Sequence, residues 1–374
     1  MNSNISYVEN NVEQVEEAVV KLGVLKRTKS LRKIPELDVV APIETTCSKS
    51  ALMKRIGVSE TKLKKVMADM EAEGFEFSKN NSNHFQFDMF QSCEIARRCG
   101  YRALSYLIKE ELKSPIVICV HNAKGGVGKS MTAQSEAVEF ASDPVENLRV
   151  CLIDADPQGT QRVFLSKDAS SSSSENFVTF ADKFVDWHEH TAEERIENRQ
   201  MYRDELINDV MLNTHIDSLK LLPSVPSDTN FEIYASNLLL NGGKRLALSC
   251  FQEMIIEPLR DDFDIFIFDM GPAQGMHMYN AYYASTDLLI PTTGKSLDFE
   301  AYKNYLKSIP LTISSMMPDD FKGFASIKTL LTRCSETDSV ARANASFIAS
   351  LTDTLQNRIS ESTAFSKSTE ENLP

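Results

Sequence analysis

Residues Asn122–Thr132 read NAKGGVGKSMT. Phosphates carry several negative charges, and a loop cradles them only if its amide N–H groups all turn inward. Residues without side chains allow this, hence Gly125, Gly126 and Gly128. A helix starting near Lys129 adds its positive end. Lys129 then reaches the β- and γ-phosphates of a nucleotide, and the Ser130 hydroxyl ligates Mg²⁺. Val127 and Met131 complete the candidate nucleotide-binding run. The common G-x-x-x-x-G-K-[ST] pattern has glycine where this chain has Ala123. What remains, K-G-G-x-G-K-[ST], carries a second lysine, Lys124, at the front of the loop, which phosphate binding alone does not explain.

Two acidic strand ends accompany the loop. Asp269 closes the apolar run FDIFIFD, an arrangement that holds Mg²⁺ through a water, and Asp154 opens DADPQG at the end of LRVCLID. Carboxylates brought side by side there are costly unless a cation or proton needs them. The alternative is that they cap strand ends. DWHEH, Asp186 to His190, matches no usual metal-ligand spacing and reads as a solvated helix face.

The elements that must position these groups fall into three regions. From Pro115 onward (domain 114–374), short apolar runs ending near Asp154, Asp269, Thr292 and Thr332, with another around Leu221, follow IVICVH and alternate with helical stretches. That pattern predicts an α/β fold, a doubly wound, mostly parallel sheet with ligands at the strand C-termini. One helix is expected to run from the loop through Phe140 and stop near Asp143-Pro144, and SKDASSSSSEN is a polar excursion.

The second region, 47–113, reads as helix, tight turn, helix. Leu52 and Ile56 share a face, Gly57 turns the chain, and Ser59 caps a helix whose buried stripe is Leu63, Val66, Met67 and Met70. Thr61, Lys62, Lys64 and Lys65 lie on its other side. Phe75, Phe77, Phe85 and Phe87 alternate around an Asn/Ser-rich turn, the signal of a hairpin placed like a wing. Arg97, Arg98 and Arg102 follow, and 12 Lys/Arg in this region stand against 9 Asp/Glu. A winged helix-turn-helix domain that binds DNA fits, with the second helix in the major groove; a helical domain with a solvated basic face fits equally. In the first region, 1–46, Val8, Val12, Val15, Val19 and Leu22 make a heptad seam, for a dimer-forming helix or one packed on its own domain.

Composition sets the bounds. The 374 residues allow two or more domains, and 42% hydrophobic with 25% charged residues is ordinary for a soluble protein. No apolar run is long enough to span a bilayer. The N-terminus is acidic where a secretory leader would be basic. Seven scattered cysteines point to reduced thiols in a cytoplasm. A net charge of −13 means that any DNA binding uses local basic patches.

KGGVGKS, DADPQG and FIFDMGPAQG, in that order, resemble the deviant Walker A ATPases, and within them the ParA partition ATPases. With the preceding helix-turn-helix, the chain is similar to the long ParA type of low-copy plasmids and some secondary chromosomes. The resemblance departs at Met270-Gly271-Pro272, where the family commonly has CxP, and the chain ends at SESTAFSKSTEENLP, where the family usually continues. It implies ATP or ADP and Mg²⁺ as cofactors, with Ser130, Asp154 and Asp269 on the metal side. It implies that Lys124 crosses a dimer interface to the partner's nucleotide, that Lys129 serves catalysis, and that Asp156 positions the attacking water. It implies a cytoplasmic, nucleoid-associated homodimer able to assemble into filaments on DNA, with no membrane attachment. The N-terminal domain would read and repress an operator, the ATP dimer would bind random DNA, and a ParB-type centromere-binding partner would stimulate hydrolysis. Random DNA would meet Lys303, Lys307, Lys322, Lys328, Arg333 and Arg342, which read equally as solvated charges. Rival classes are a MinD-like positioning ATPase, a reductase resembling the nitrogenase iron protein, and a repressor that binds nucleotide without turnover.

Overall fold

The computed structural model describes residues 46–159, 161–166, 183, 187, 189–225, 228–335 and 337–361. The heptad seam of Val8 to Leu22 and most of the polar excursion lie outside them.

In the N-terminal part, Ser48 caps α1 (Lys49–Ile56) by accepting from the Ala51 amide, and Gly57 closes that helix in the left-handed conformation. Ser59 caps α2 (Glu60–Ala72) in the same way through Lys62 N. Asp88 and Gln91 form a reciprocal capping box on α3 (Met89–Arg98). Leu52, Leu63, Val66, Met67, Met70, Phe87, Ile95 and Ala96 build one small core between these helices.

The phenylalanine hairpin is only partly formed. Its turn exists: Asn80 N donates to His84 O, and Asn83 has φ of 60°. Only one bridge, Lys79 to Phe85, joins its arms, and β2 (Gln86–Phe87) pairs instead with β1 (Cys47–Ser48). Phe77, Phe85 and Phe87 cluster with ring centroids 5.5–6.4 Å apart, so their alternation records a shared apolar face more than a ladder.

The remaining strands form a seven-stranded sheet: β3 (Ile116–Val120), β4 (Val150–Asp154), β5 (Leu212–Asn213), β6 (Leu219–Leu222), β7 (Ile265–Asp269), β8 (Asp287–Thr292) and β9 (Ser326–Leu331). Its order is β5-β6-β4-β7-β3-β8-β9, parallel throughout except at the edge pair β5–β6. Both faces are covered, as a parallel sheet requires. Strand periodicity divides β7, whose Ile265 and Ile267 enter one core while Phe266 and Phe268 enter the other. The first of these cores is closed by α4 (Lys129–Ser142) through Ala133, Ala137 and Phe140.

DWHEH is not solvated throughout: Trp187 is buried at 1% exposure in the larger core, with the Arg195 guanidinium 4.5 Å above its ring, whereas Glu189 is exposed and Asp186 and His188 lie outside the described residues. Burying so large an apolar ring outweighs the polarity of its neighbours.

The two parts meet at the end of α4. Val145 packs into the N-terminal core, and the buried Glu146 carboxylate accepts from Arg55 at 2.9 Å, Tyr101 at 2.7 Å and Leu104 N at 2.6 Å. Asp143 takes a second bond from Arg55.

Candidate functional site

Sheet register sets the site. Val120 and Asp154 both pair with Asp269, one from each side, so three adjacent strands end at one level. The loop leaves β3 there, and α4 begins at Lys129. This is the crevice at the C-terminal strand ends where open α/β sheets bind ligands.

Gly126 and Gly128 have φ of 76° and 86°, the left-handed region that glycine enters without penalty and side chains resist. The loop is anchored at several points. Asn122, fully buried, donates to Pro291 O at 2.8 Å and accepts from Lys124 N at 3.0 Å. Thr332 donates to Val127 O at 2.7 Å. Arg333 donates to Gly126 O at 3.2 Å from a left-handed backbone (φ 48°), uncommon for a residue with a side chain. Arg333 therefore lies over the loop, whereas Arg342 is exposed on a helix spanning Ser339–Leu351. Sequence reasoning missed Asn122 as an anchor; a buried Asn beside a glycine loop is the signal for it.

The Lys129 ammonium donates to Lys124 O at 3.0 Å, folding over the loop it serves. Burial pushes its pKa down, opposed by Asp269 and Asp156. Lys124 is part-exposed, its ammonium 3.9 Å from Asp298. Beside the loop, His121 shares Nδ1 with the hydroxyls of Tyr282 and Tyr305, each at 2.9 Å, and burial pushes its pKa down to about 3. It is neutral at physiological pH and belongs to the packing under the site.

On the acidic side, Asp154 accepts from the amides of Asp156 and Gln161. Burial raises its pKa well above the ordinary range, with Asp269 adding to the effect. Burial likewise pushes Asp269 up, while Gln161 and Ser130 pull it back. These carboxyls resist ionisation until positive charge arrives. Asp269 Oδ1 is buried and has no partner among the described residues. Among those residues no cluster of three His, Cys, Asp or Glu could hold a metal. A few hard oxygens with one vacant acceptor suit Mg²⁺, which keeps several waters and takes phosphate ligands. Ser130, Asp269 and Asp154 therefore fit that ion.

Asp156 lies against the chain after β7. A Cβ at Gly271 would sit 3.1 Å from its carboxyl carbon, so glycine there makes room for the carboxylate. Gln158 N holds Asp156 Oδ1 at 3.0 Å.

Arg333, a DNA-facing candidate, thus lies at this site, whereas the N-terminal candidates lie on α2. Thr61, Lys64 and Lys65 are exposed on α2. The Lys62 ammonium donates to Cys99 O at 2.7 Å, and Lys64 pairs with Glu60 at 3.1 Å. Arg97, Arg98 and Arg102 all pair with acidic neighbours, so they add little to a basic patch. Lys328 is largely covered and paired with Asp353.

Residues 116–319 match a family described as AAA domain. The plasmid partition protein A of Escherichia coli is 23% identical over 273 residues, 70% of this chain and 63% of that protein. The chromosome partitioning protein ParA of Myxococcus xanthus is 26% identical over 203 residues, 54% of this chain and 61% of its own length. The chain thus spans less than two thirds of the length of these relatives. Among solved structures, a partition protein superposes with a TM-score of 0.61 at 16% identity, over 97% of each chain. A variant of Cyanothece McdA in complex with ATP superposes at 0.51 and 19% identity, over 69% of this chain and 88% of that one. At these identities the likeness is one of fold.

Proposed function

The chain belongs to the AAA domain family, and on that premise we propose that it is a ParA-type DNA partition ATPase using ATP and Mg²⁺. One observation carries the reading: the parallel register sets Asp154 and Asp269 side by side, with the glycine loop leaving the strand next to them. Buried paired acids beside a phosphate cradle have a purpose when a cation joins them to phosphate. The similarity to partition proteins supplies the biological direction.

In this reading Lys129 and the amides of Gly125 to Met131 hold the phosphates. Ser130, Asp269 and Asp154 hold Mg²⁺, which supplies charge neutralisation and orientation of the phosphate oxygens. Asp156 orients the attacking water. Lys124 leaves Asp298 and reaches the nucleotide of a second copy, so that hydrolysis and dimerisation depend on each other. The helices and partial hairpin of the N-terminal part act as a winged helix-turn-helix that reads an operator and represses it, with Lys65, unlike Lys62 and Lys64, making no side-chain hydrogen bond or ion pair among the described residues. The ATP dimer binds random DNA on the nucleoid in the cytoplasm, Arg342 being a candidate contact, and a ParB-type partner stimulates turnover.

ATP turnover measured with and without DNA separates this ATPase from a repressor that only binds nucleotide. Gel shifts on random DNA and on the chain's own promoter region, each with ATP, ADP or neither, test the two DNA activities. Absence of turnover under every condition overturns the ATPase reading.

A further inference from the structure

Gln161 opens the short helix Gln161–Leu165 after β4, and its side chain is 1% exposed. It touches every part of the acidic side. Its main-chain N–H donates to Asp154 Oδ2 at 3.0 Å. Its carboxamide nitrogen donates to Asp269 Oδ2 at 2.8 Å and to Ser130 O at 3.0 Å. Two acceptors at one end of the amide fix which end is nitrogen. The other end, Oε1, is buried without a partner among the described residues, and so is Asp269 Oδ1. Leaving a buried acceptor unpaired costs about 1–3 kcal/mol. A site that keeps two of them is built to receive hydrogen-bond donors or a cation.

We propose that Gln161 is a positioning residue for the metal–nucleotide complex. Its amide ties up Asp269 Oδ2, which leaves Oδ1 as the acceptor presented to the site. Its Oε1 accepts from a water carried by the divalent ion. A strongly hydrated cation brings donors of the kind these two oxygens lack, and Mg²⁺ keeps its waters more firmly than other common divalent ions. The bonds to Ser130 O and the Asp154 carboxylate also tie the start of α4 to two strand ends, so the residues named for the metal share one clamp. The inference rests on the reading of this site as a Mg²⁺–ATP centre.

The test measures equilibrium binding of a fluorescent ATP analogue with excess Mg²⁺ and again with EDTA. Wild type, Gln161→Leu and Gln161→Glu are compared, with thermal melts of each. In EDTA, Gln161→Leu is expected to lose less affinity than it does with Mg²⁺, because its one contact with the phosphate loop is the bond to Ser130 O. With Mg²⁺, its metal-dependent gain in affinity is expected to fall about tenfold, one direct hydrogen bond's worth. Gln161→Glu adds a third carboxyl beside Asp154 and Asp269. It should melt lower than wild type in EDTA and gain more from Mg²⁺, which keeps the proposal testable if the leucine variant folds poorly. An unchanged Mg²⁺-dependent gain in both variants overturns the proposal, and so does an equal loss with and without the metal, which would mark Gln161 as structural. A wild-type chain that does not bind the analogue at all overturns the nucleotide reading itself.

Discussion

At the residue scale, the two lysines of the loop separate cleanly. Lys129 is buried and folded onto the loop, whereas Lys124 is part-exposed and only loosely paired with Asp298. Lys129→Ala is expected to abolish ATP binding, since it removes the charge over the phosphates. Lys124→Ala should leave ATP affinity within about threefold of wild type, an exposed ion pair being worth little, yet block ATP-dependent dimers. Nucleotide titration and size-exclusion chromatography check both, and equal loss of binding would end the trans role of Lys124. Gly271 makes a second case. An added methyl group would displace the Asp156 carboxylate, so Gly271→Ala should lower turnover by roughly 10–100-fold, as small misplacements of reacting groups do, with ATP affinity unchanged. If Asp156 positions the water, Asp156→Ala and the double variant should turn over equally slowly; additive losses would separate the two residues. Much of this site was legible because glycines, lysines and strand-end acids carry chemistry in their types. Gln161 was not, because its role arises only when the register of β4 and β7 brings Asp154 and Asp269 to the same level.

At the scale of elements, α3 is stapled to α2 by charge. Arg98 grips Glu73 and Glu94, and Arg97 adds a second pair to Glu94. Hydrogen bonding from Arg97 pulls the Glu94 pKa down to about 2. A depressed carboxyl contributes stability that is fully present above its ordinary value near 4.5 and is lost as pH falls toward 2. Glu94→Gln should therefore be less stable at neutral pH, and the gap from wild type should close as pH falls through that window. Thermal melts of both proteins across the range would show it; a gap independent of pH would mean that packing, not charge, is lost. The sequence shows these arginines as part of a basic patch, because a count of charges contains no partners. It shows the main strands well, since buried parallel strands are continuous apolar runs. It misses β5, where two residues at an edge leave no periodic trace.

At the scale of the molecule, one buried carboxylate gathers several of the contacts between the two parts. Glu146 joins Arg55, Tyr101 and Leu104 N, residues about 40 to 90 positions away in sequence, which no local pattern reveals. Glu146→Ala leaves a hydroxyl and an amide without their acceptor and the Arg55 guanidinium with Asp143 alone, a loss on the order of 2–4 kcal/mol. Calorimetry should then resolve two transitions where wild type shows one, the earlier belonging to the N-terminal part. A single transition merely shifted downward would show that other contacts suffice to couple them.

The same helix that begins in the phosphate loop ends at this junction. Fourteen residues make a rod about 21 Å long. Hinged at the loop, such a lever turns a tilt of about 5° into a sweep of about 2 Å at its far end, on the rise of 1.5 Å per residue. Arg55 is bound to that end through Asp143 and Glu146, so α1 is carried with it. The separation between the two α1 helices of any dimer would then become a mechanical gauge of what fills the loop.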